Sequence, residues 1–324
     1  MIKAVRIHRP GGPAELVYED IALDAPGPGE AIVRQEAIGL NFIDTYQRSG
    51  LYPLPEMPWV LGMEAAGTVE AVGEGVSEVA VGDRVAYACA PPGAYAEARR
   101  MPAAKLVALP DTISAEQAAS VMLQGMTTEY LLNRCYAVQP GDTILVHAAA
   151  GGVGLIACAW AKAMGATVIG TVSSAEKAAL AASHGCDHPI NYAEENFADR
   201  VMEITDGAGL PAVYDSIGRD TFDRSLECLR LRGLMVCFGQ ASGPVPPLDM
   251  FKLSPKALFI TRPSLMQYTE TREELVASAN AVFAMIERGV IDAEPRQRYP
   301  LSEAMRAHVD LEARKTAGST ILLP

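Results

Sequence analysis

The stretch Asp142-Thr-Ile-Leu-Val-His-Ala-Ala-Ala-Gly-Gly-Val-Gly154 decides the fold. Thr143 to Val146 is short, apolar and rich in β-branched residues, the profile of a buried strand. Gly151, Gly152 and Gly154 break that period, and Leu155 to Met164 follows at helical spacing with no proline. A strand that feeds a helix through a glycine turn aims free backbone N–H groups at one point, and the helix dipole adds partial positive charge there. Such a turn suits a pyrophosphate. The spacing is that of the dinucleotide fingerprint G-x-G-x-x-G, with Ala149 where the first glycine stands. Glycine turns of this kind also arise for packing alone, so the neighbouring strand ends decide its meaning.

Working outward, the chain after Gly125 alternates strands and helices. Candidate strands are Thr143–Ala148, Thr167–Val172, His188–Asn191, Ala212–Ile217, Leu234–Phe238 and Ala257–Thr261, with helices beginning near Gly154, Ser174, Asn196 and Arg219. Strands joined by crossover helices predict a doubly wound, six-stranded parallel sheet, a Rossmann domain over residues 125–262. Ligands of such sheets bind beyond the carboxyl ends of the strands. That rule gathers Gly151, Gly152, Ser173, Tyr192, Ser216, Gly239, Gln240 and Arg262 onto one rim, and Phe238 and Ser264 are counted with them as candidate cofactor contacts. The second strand ends Thr171-Val-Ser-Ser174, where an NAD enzyme usually carries an acid for the ribose hydroxyls. A carboxylate there would repel a 2′-phosphate. Ser173 and Ser174 offer hydroxyls, Lys177 one turn on offers an ammonium, and Tyr192 a further hydroxyl. The reading is NADPH over NADH. The plainer alternative makes Ser174 a helix cap and Lys177 a surface lysine.

The N-terminal part, residues 1–124, reads as short strands divided by proline and glycine: Lys3–His8, Ala31–Ile38, Gly67–Val72, Arg84–Ala88 and Gly93–Arg99. A compact β-rich domain is expected. Between the strands, Gly39 to Pro53 alternates polar Asn41, Asp44, Tyr46, Arg48 and Tyr52 with apolar residues in a short helix and loop. A solvated surface helix would show the same pattern. Glu64 sits inside an apolar run and needs a partner. Residues 263–324 hold two more helices, Thr271–Arg288 and Leu301–Leu311, and a last strand from Gly318. They are expected to return to the first domain, with Arg314 and Lys315 beside the final strand.

Composition sets outer bounds. A chain of 324 residues that is 49% hydrophobic can build two ordinary cores. No apolar run reaches the ~18 residues of a membrane span, and Met1 to Ile7 alternates like a strand rather than a signal peptide. A net charge of −12 argues against nucleic acid as a partner. Cys89, Cys135, Cys158, Cys186, Cys228 and Cys237 form no C-x-x-C pair and read as reduced, buried thiols of a cytoplasmic protein.

Taken together, these residues resemble the quinone oxidoreductase (zeta-crystallin-like) branch of the zinc-independent medium-chain dehydrogenase/reductases. The resemblance spans nearly the whole chain. It rests on Asn41 to Pro53, Leu123-Gln-Gly-Met-Thr127, Val146 to Gly154, Asn191-Tyr192, Phe238-Gly-Gln240 and His308 through Leu323. It implies a GroES-like catalytic domain, residues 1–124 and 263–324, and NADPH bound between it and the Rossmann domain. Residues like Asn41, Thr127, Tyr130, Gly152, Val153, Ser173, Lys177, Tyr192, Ser216, Gly239 and Arg314 line that cofactor in relatives. It further implies a homodimer joined edge to edge at the nucleotide sheet, near Phe259 and Ile260.

The zinc alcohol dehydrogenase branch differs where chemistry is decided. It carries a Cys in the position resembling Asn41–Asp44 and Gly-His-Glu where this chain has Gly62-Met-Glu64, and the cysteine-rich lobe expected after Val85 is missing here. Without thiolate and imidazole ligands a tetrahedral zinc cannot be held, so no metal is expected. A quinone accepts electrons readily, and positioning then dominates catalysis. Tyr46, Tyr52, Asn41 and Gln124 are the candidate donors to a developing oxyanion. Two alternatives remain: reduction of an activated C=C bond in an alkenal or enone, and a non-catalytic NADPH-binding protein.

Overall fold

The structure is a computed structural model that describes residues 1–88 and 90–324. The expectation for Cys89 lies outside the described residues. In chain order the strands and helices begin with β1 (Ile2–Ile7), β2 (Leu16–Ile21), β3 (Glu30–Leu40), α1 (Phe42–Ser49), β4 (Trp59–Val60), β5 (Glu64–Val72), β6 (Arg84–Ala88), β7 (Ala98–Pro102), β8 (Val107–Ala108) and α2 (Ala115–Tyr130). They continue with β9 (Thr143–Val146), α3 (Gly152–Ala163), β10 (Thr167–Val172), α4 (Ala175–Ser183), β11 (His188–Asn191), α5 (Phe197–Ile204), β12 (Leu210–Asp215), α6 (Phe222–Cys228), β13 (Leu229–Cys237) and β14 (Phe259–Thr261). The last are α7 (Leu265–Tyr268), α8 (Arg272–Glu287), β15 (Gln297–Pro300), α9 (Ala304–Glu312) and β16 (Thr320–Leu323). Two compact units result: residues 1–126, 268–287 and 292–324, and residues 127–267 with 288–291.

The first unit holds a three-stranded sheet, β2-β1-β4, and a seven-stranded one, β15-β16-β3-β5-β6-β8 with β7 also on β3. Final strand β16 pairs antiparallel with β3, Thr320 against Leu40, which binds the C-terminal segment into this unit. Ile7, Ile38, Leu61, Tyr87, Tyr95 and Leu106 lie at the heart of its core. The expected strand over Gly93–Arg99 is corrected: the strand is Ala98–Pro102. Residues 93–97 instead tie several elements together. Tyr95 N donates to Leu61 O, Glu97 N to Lys3 O and Gln35 N to Glu97 O, so no single ladder forms. Strand β2 was not expected, because Glu19 and Asp20 mask its alternation.

The second unit is a parallel sheet in the order β11-β10-β9-β12-β13-β14, with every neighbouring pair parallel. Numbered within the unit, that is the 3-2-1-4-5-6 order of the doubly wound fold, whose switch point falls between β9 and β12. Leu145, Ile169, Val213 and Met235 are fully buried between the layers, as apolar parallel strands require. The strand expected at Ala212–Ile217 lies two residues earlier. Asp215 ends it, folding its carboxylate onto Ile217 N (2.6 Å), Gly218 N (3.1 Å) and Thr221 Oγ1 (2.7 Å).

Candidate active site

Helix α1 is not a solvated surface helix. Asp44 is fully buried, and Thr45, Tyr46, Gln47 and Arg48 are buried with it. Asn41 stands at its N-cap, and the Asp44 carboxylate takes the Asn41 backbone N–H at 2.9 Å in a capping-box arrangement. The Asn41 amide reaches the other way: Nδ2 donates to Glu64 Oε2 at 2.6 Å, and Oδ1 accepts from Gln124 Nε2 at 3.2 Å. The second Glu64 oxygen accepts Leu123 N–H at 2.6 Å. Space for this carboxylate exists because position 39, opposite Glu64 in the β3–β5 ladder, is glycine. A Cβ there would lie 2.2 Å from Glu64 Oε2 and 2.4 Å from Ala119 O. The partner that Glu64 required is therefore Asn41, and two of the four candidate donors, Asn41 and Gln124, meet directly. The other two, Tyr46 and Tyr52, meet each other edge to face with ring centres 5.2 Å apart.

Asp44 also anchors a second chain of contacts. Tyr95 OH lies 2.8 Å from Asp44 Oδ2 and 3.0 Å from His308 Nε2, while His308 Nδ1 lies 2.9 Å from Arg48 Nη1. Arginine only donates, so Nδ1 accepts and Nε2 carries the proton. Nε2–H then donates to Tyr95, which passes its own hydrogen to Asp44. One buried arginine thus sets every hydrogen in the row.

Burial works against charge in this cluster. It pushes the Asp44 carboxyl up to about 7 and Glu64 up to about 8, with the hydrogen bonds opposing. It pushes His308 down to about 3, helped by the adjacent Arg48 charge. Both acids therefore bind protons more tightly folded than unfolded, and stability falls as pH rises through their titration. The His308 contribution is present above its unfolded value and is lost as pH falls towards 3, so it opposes the acids below about 6.5. From pH 6.5 to 8 the acids act without that opposition. Urea titrations should give a midpoint that declines over that interval, with a slope of about 1.4 kcal/mol per pH unit for each proton. A midpoint flat or rising between pH 6.5 and 8 would contradict the neutral, buried acids.

In the second unit, α3 starts at the glycine turn. Its N-cap Gly151 contributes no side-chain bond, leaving the first-turn N–H groups for an anion. A Cβ on Gly154 would lie 2.2 Å from Ala148 O, so the turn closes only over glycine. Ala148 itself is left-handed, with φ 52°. Alanine is accommodated at 149 because the facing residue is Gly170, whose own Cβ would lie 2.5 Å from that of Ala149. Around this turn, Gly152, Val153, Ser173, Lys177, Ser216, Phe238, Gly239 and Gln240 are half-buried, and Tyr192, Arg262 and Ser264 are exposed. Gly239 packs on Ser216, where a Cβ would meet Ser216 O at 2.5 Å. Arg262 Nη1 holds Cys237 O at 2.7 Å, and Ser264 Oγ donates to Gln267 Oε1 at 2.8 Å. Ser174 caps α4, accepting Lys177 N–H at 3.3 Å. Thr127 and Tyr130 are buried at the end of α2, and Arg314, with φ 59°, follows α9 in the first unit.

Comparison with known proteins agrees with both halves. Residues 27–111 match the alcohol dehydrogenase GroES-like domain family and residues 152–281 the zinc-binding dehydrogenase family. A quinone oxidoreductase of Pseudomonas aeruginosa is 56% identical over the full length of both chains. The chain belongs to the quinone oxidoreductase branch of the medium-chain dehydrogenase/reductases. The crystal structure of Escherichia coli quinone oxidoreductase complexed with NADPH superimposes with a TM-score of 0.98 at 49% identity, covering 99% of this chain and all of that one. A 2-haloacrylate reductase of Burkholderia is 46% identical over all of this chain and 99% of its own.

Membership of a family described as zinc-binding raises the question of fit, and the donors answer it. Met63 offers a thioether that already accepts Gln47 Nε2 at 3.3 Å, Glu64 spends both oxygens on N–H donors, and Asp44 Oδ2 takes two more. Among the described residues no three His, Cys, Asp or Glu side chains are grouped to hold an ion. This quinone oxidoreductase chain does not fit zinc, and no step is derived through it. No helix among the described residues is long and apolar enough to cross a membrane. Sequence reasoning missed Tyr95, His308 and Glu312. Tyr95 and His308 lie 213 positions apart in the chain, and no local pattern joins them.

Proposed function

We propose that this chain is an NADPH-dependent quinone reductase that works without a metal. The observation that carries it is the nucleotide rim: an anion-ready helix start beside a strand end, Thr171 to Ser174, that has Ser173 and no acid, with Lys177 in the helix that follows. The names of its close relatives support quinone as the acceptor. When bound, NADPH would supply a hydride at C4 of its nicotinamide. The chain's own residues bind and orient. Backbone N–H groups at Gly152 and Val153 hold the pyrophosphate. Ser173, Lys177 and Tyr192 hold the 2′-phosphate end. Thr127, Tyr130, Ser216, Phe238 to Gln240, Arg262, Ser264 and Arg314 frame the remainder. Asn41 and Gln124, with Tyr46 and Tyr52, donate to the acceptor oxygen as it gains charge.

Labour divides as the sequence suggests, with residues 1–124 and 263–324 serving the acceptor and 125–262 the nucleotide. The protein acts in the cytoplasm as a homodimer joined at β14, an edge strand on which Phe259 is 60% exposed. The 2-haloacrylate reductase relative favours one second reading, reduction of an activated C=C bond. A steady-state panel separates the two. NADPH and NADH are each tested with 1,4-benzoquinone, 9,10-phenanthrenequinone and an enone; quinone turnover with NADPH is expected to dominate. Lys177→Ala should raise the NADPH KM about tenfold, the loss of one charge-assisted contact, and leave NADH unchanged. Equal use of both cofactors by the wild type would overturn the assignment to NADPH.

A further inference from the structure

We infer that Glu64 is a positioning residue: its acceptor-only carboxylate fixes which way the Asn41 amide faces and, through Asn41 Oδ1, which way the Gln124 amide faces. The inference rests on the reading that Asn41 and Gln124 face the acceptor. An amide can present either its oxygen or its nitrogen, and burial alone does not choose. Here the choice is made stepwise. Leu123 N–H is backbone and cannot turn, so it claims Glu64 Oε1 at 2.6 Å. Oε2 then requires a donor, which holds Asn41 Nδ2 at 2.6 Å. Asn41 Oδ1 is left facing Gln124 and requires Nε2, at 3.2 Å. Asn41 Nδ2 carries a second N–H beyond the one given to Glu64.

The ionised carboxylate dictates this order, because it can only accept. A proton on Oε2 would face Asn41 with a donor and turn both amides round, Asn41 giving up its part in the α1 cap. Among the described residues, the titratable groups facing Glu64 are Asp44 from α1 and Tyr95 from the 93–97 segment. Its neighbours on β3 and β6 are Gly39 and Ala88, and α2 brings the Met122 and Leu123 amides. No cation among the described residues touches it and burial favours the neutral form, so the carboxylate forms as pH rises, and turnover should rise with it.

Glu64→Gln is the isosteric test. Its oxygen takes Leu123 N–H and its NH2 meets Asn41, which must invert and present its own NH2 to position 124. Gln124→Glu then reports the inversion. In the wild-type background at pH 9, where Glu64 is ionised, a Glu at 124 sets acceptor against Asn41 Oδ1 and should lower the melting temperature of the cofactor-free protein. In the Glu64→Gln background it meets a donor and should raise it. A merely structural Glu64 gives no such change of sign. Glu64→Gln alone should lose about tenfold or more in kcat with 1,4-benzoquinone, the order of one lost oxyanion donor, and lose the rise with pH. Unchanged kcat and pH profile, or a Gln124→Glu shift of the same sign in both backgrounds, overturns the inference. If Glu64→Gln fails to fold, recovery of folding in the double variant supports it and continued failure overturns it. Absence of quinone turnover in the wild type would sink the functional reading while leaving the melting cycle intact.

Discussion

Gly154→Ala is expected to weaken NADPH binding about a hundredfold and lower stability together. The new Cβ would lie 2.2 Å from Ala148 O and 2.7 and 2.8 Å from Ala149 C and Cα. All three are backbone atoms, so no side chain can swing away, and Ala148 is already held at φ 52°. The turn must open. Overpacking of this kind costs about 3 kcal/mol at the upper end of its range, and a Kd loss of about a hundredfold corresponds to about 2.7 kcal/mol of binding. Gly151→Ala supplies the contrast. That Cβ would lie 3.1 Å from Ala148 O and 4.0 Å from Ala148 Cβ, in an extended backbone that any residue adopts, so the fold should survive. NADPH affinity should still fall, because the second glycine of the fingerprint is where backbone approaches pyrophosphate. Fluorescence titration of NADPH alongside urea unfolding reads both effects. Wild-type values for Gly154→Ala would mean that the turn is not the anion cradle.

The same turn shows how much of this molecule was legible from its residues. Strand, glycine turn and helix are local events, each written within about ten residues, so the parallel sheet could be read directly. Even the absent first glycine is intelligible once Gly170 is seen opposite Ala149, yet nothing in either local pattern pairs them. Glu64 shows the halfway case. Its apolar surroundings announced a buried acid, but Asn41 and the Leu123 amide, 23 and 59 positions away, came only with the fold. Helix α1 misled in the other direction. Asp44, Gln47 and Arg48 carry the composition of a wet surface, yet each is buried against a partner from a distant segment, Tyr95, Met63 and His308 in turn. Long-range polar pairing leaves no period in the sequence, whereas apolar packing does.

Arg48 is where that distant pairing carries most weight, and its replacement by methionine should cost about 2 kcal/mol, chiefly from the buried His308 Nδ1 left unsatisfied, with the half-buried Gly11 O losing its donor as well. The side chain is 2% exposed and divides its donors among Gly11 O at 3.1 Å, His308 Nδ1 at 2.9 Å and Glu312 Oε1 at 2.8 Å. Methionine preserves the apolar stem, so the loss is polar. Gly11 O and His308 Nδ1 would lose these donors, while Glu312, 37% exposed on its side chain, can turn to water. The damage also travels. With no donor on Nδ1, the His308 tautomer is no longer dictated, the Tyr95 hydrogen is free to leave Asp44, and the α1 cap loses its outer support. Lysine should recover less than half of the stability, because one ammonium cannot reproduce the fork that spans three acceptors. Urea unfolding of the three proteins at pH 7 measures this. An Arg48→Met midpoint within about 1 kcal/mol of wild type, after conversion with the measured slope, would show that the buried row is scenery and that α1 is held by packing alone.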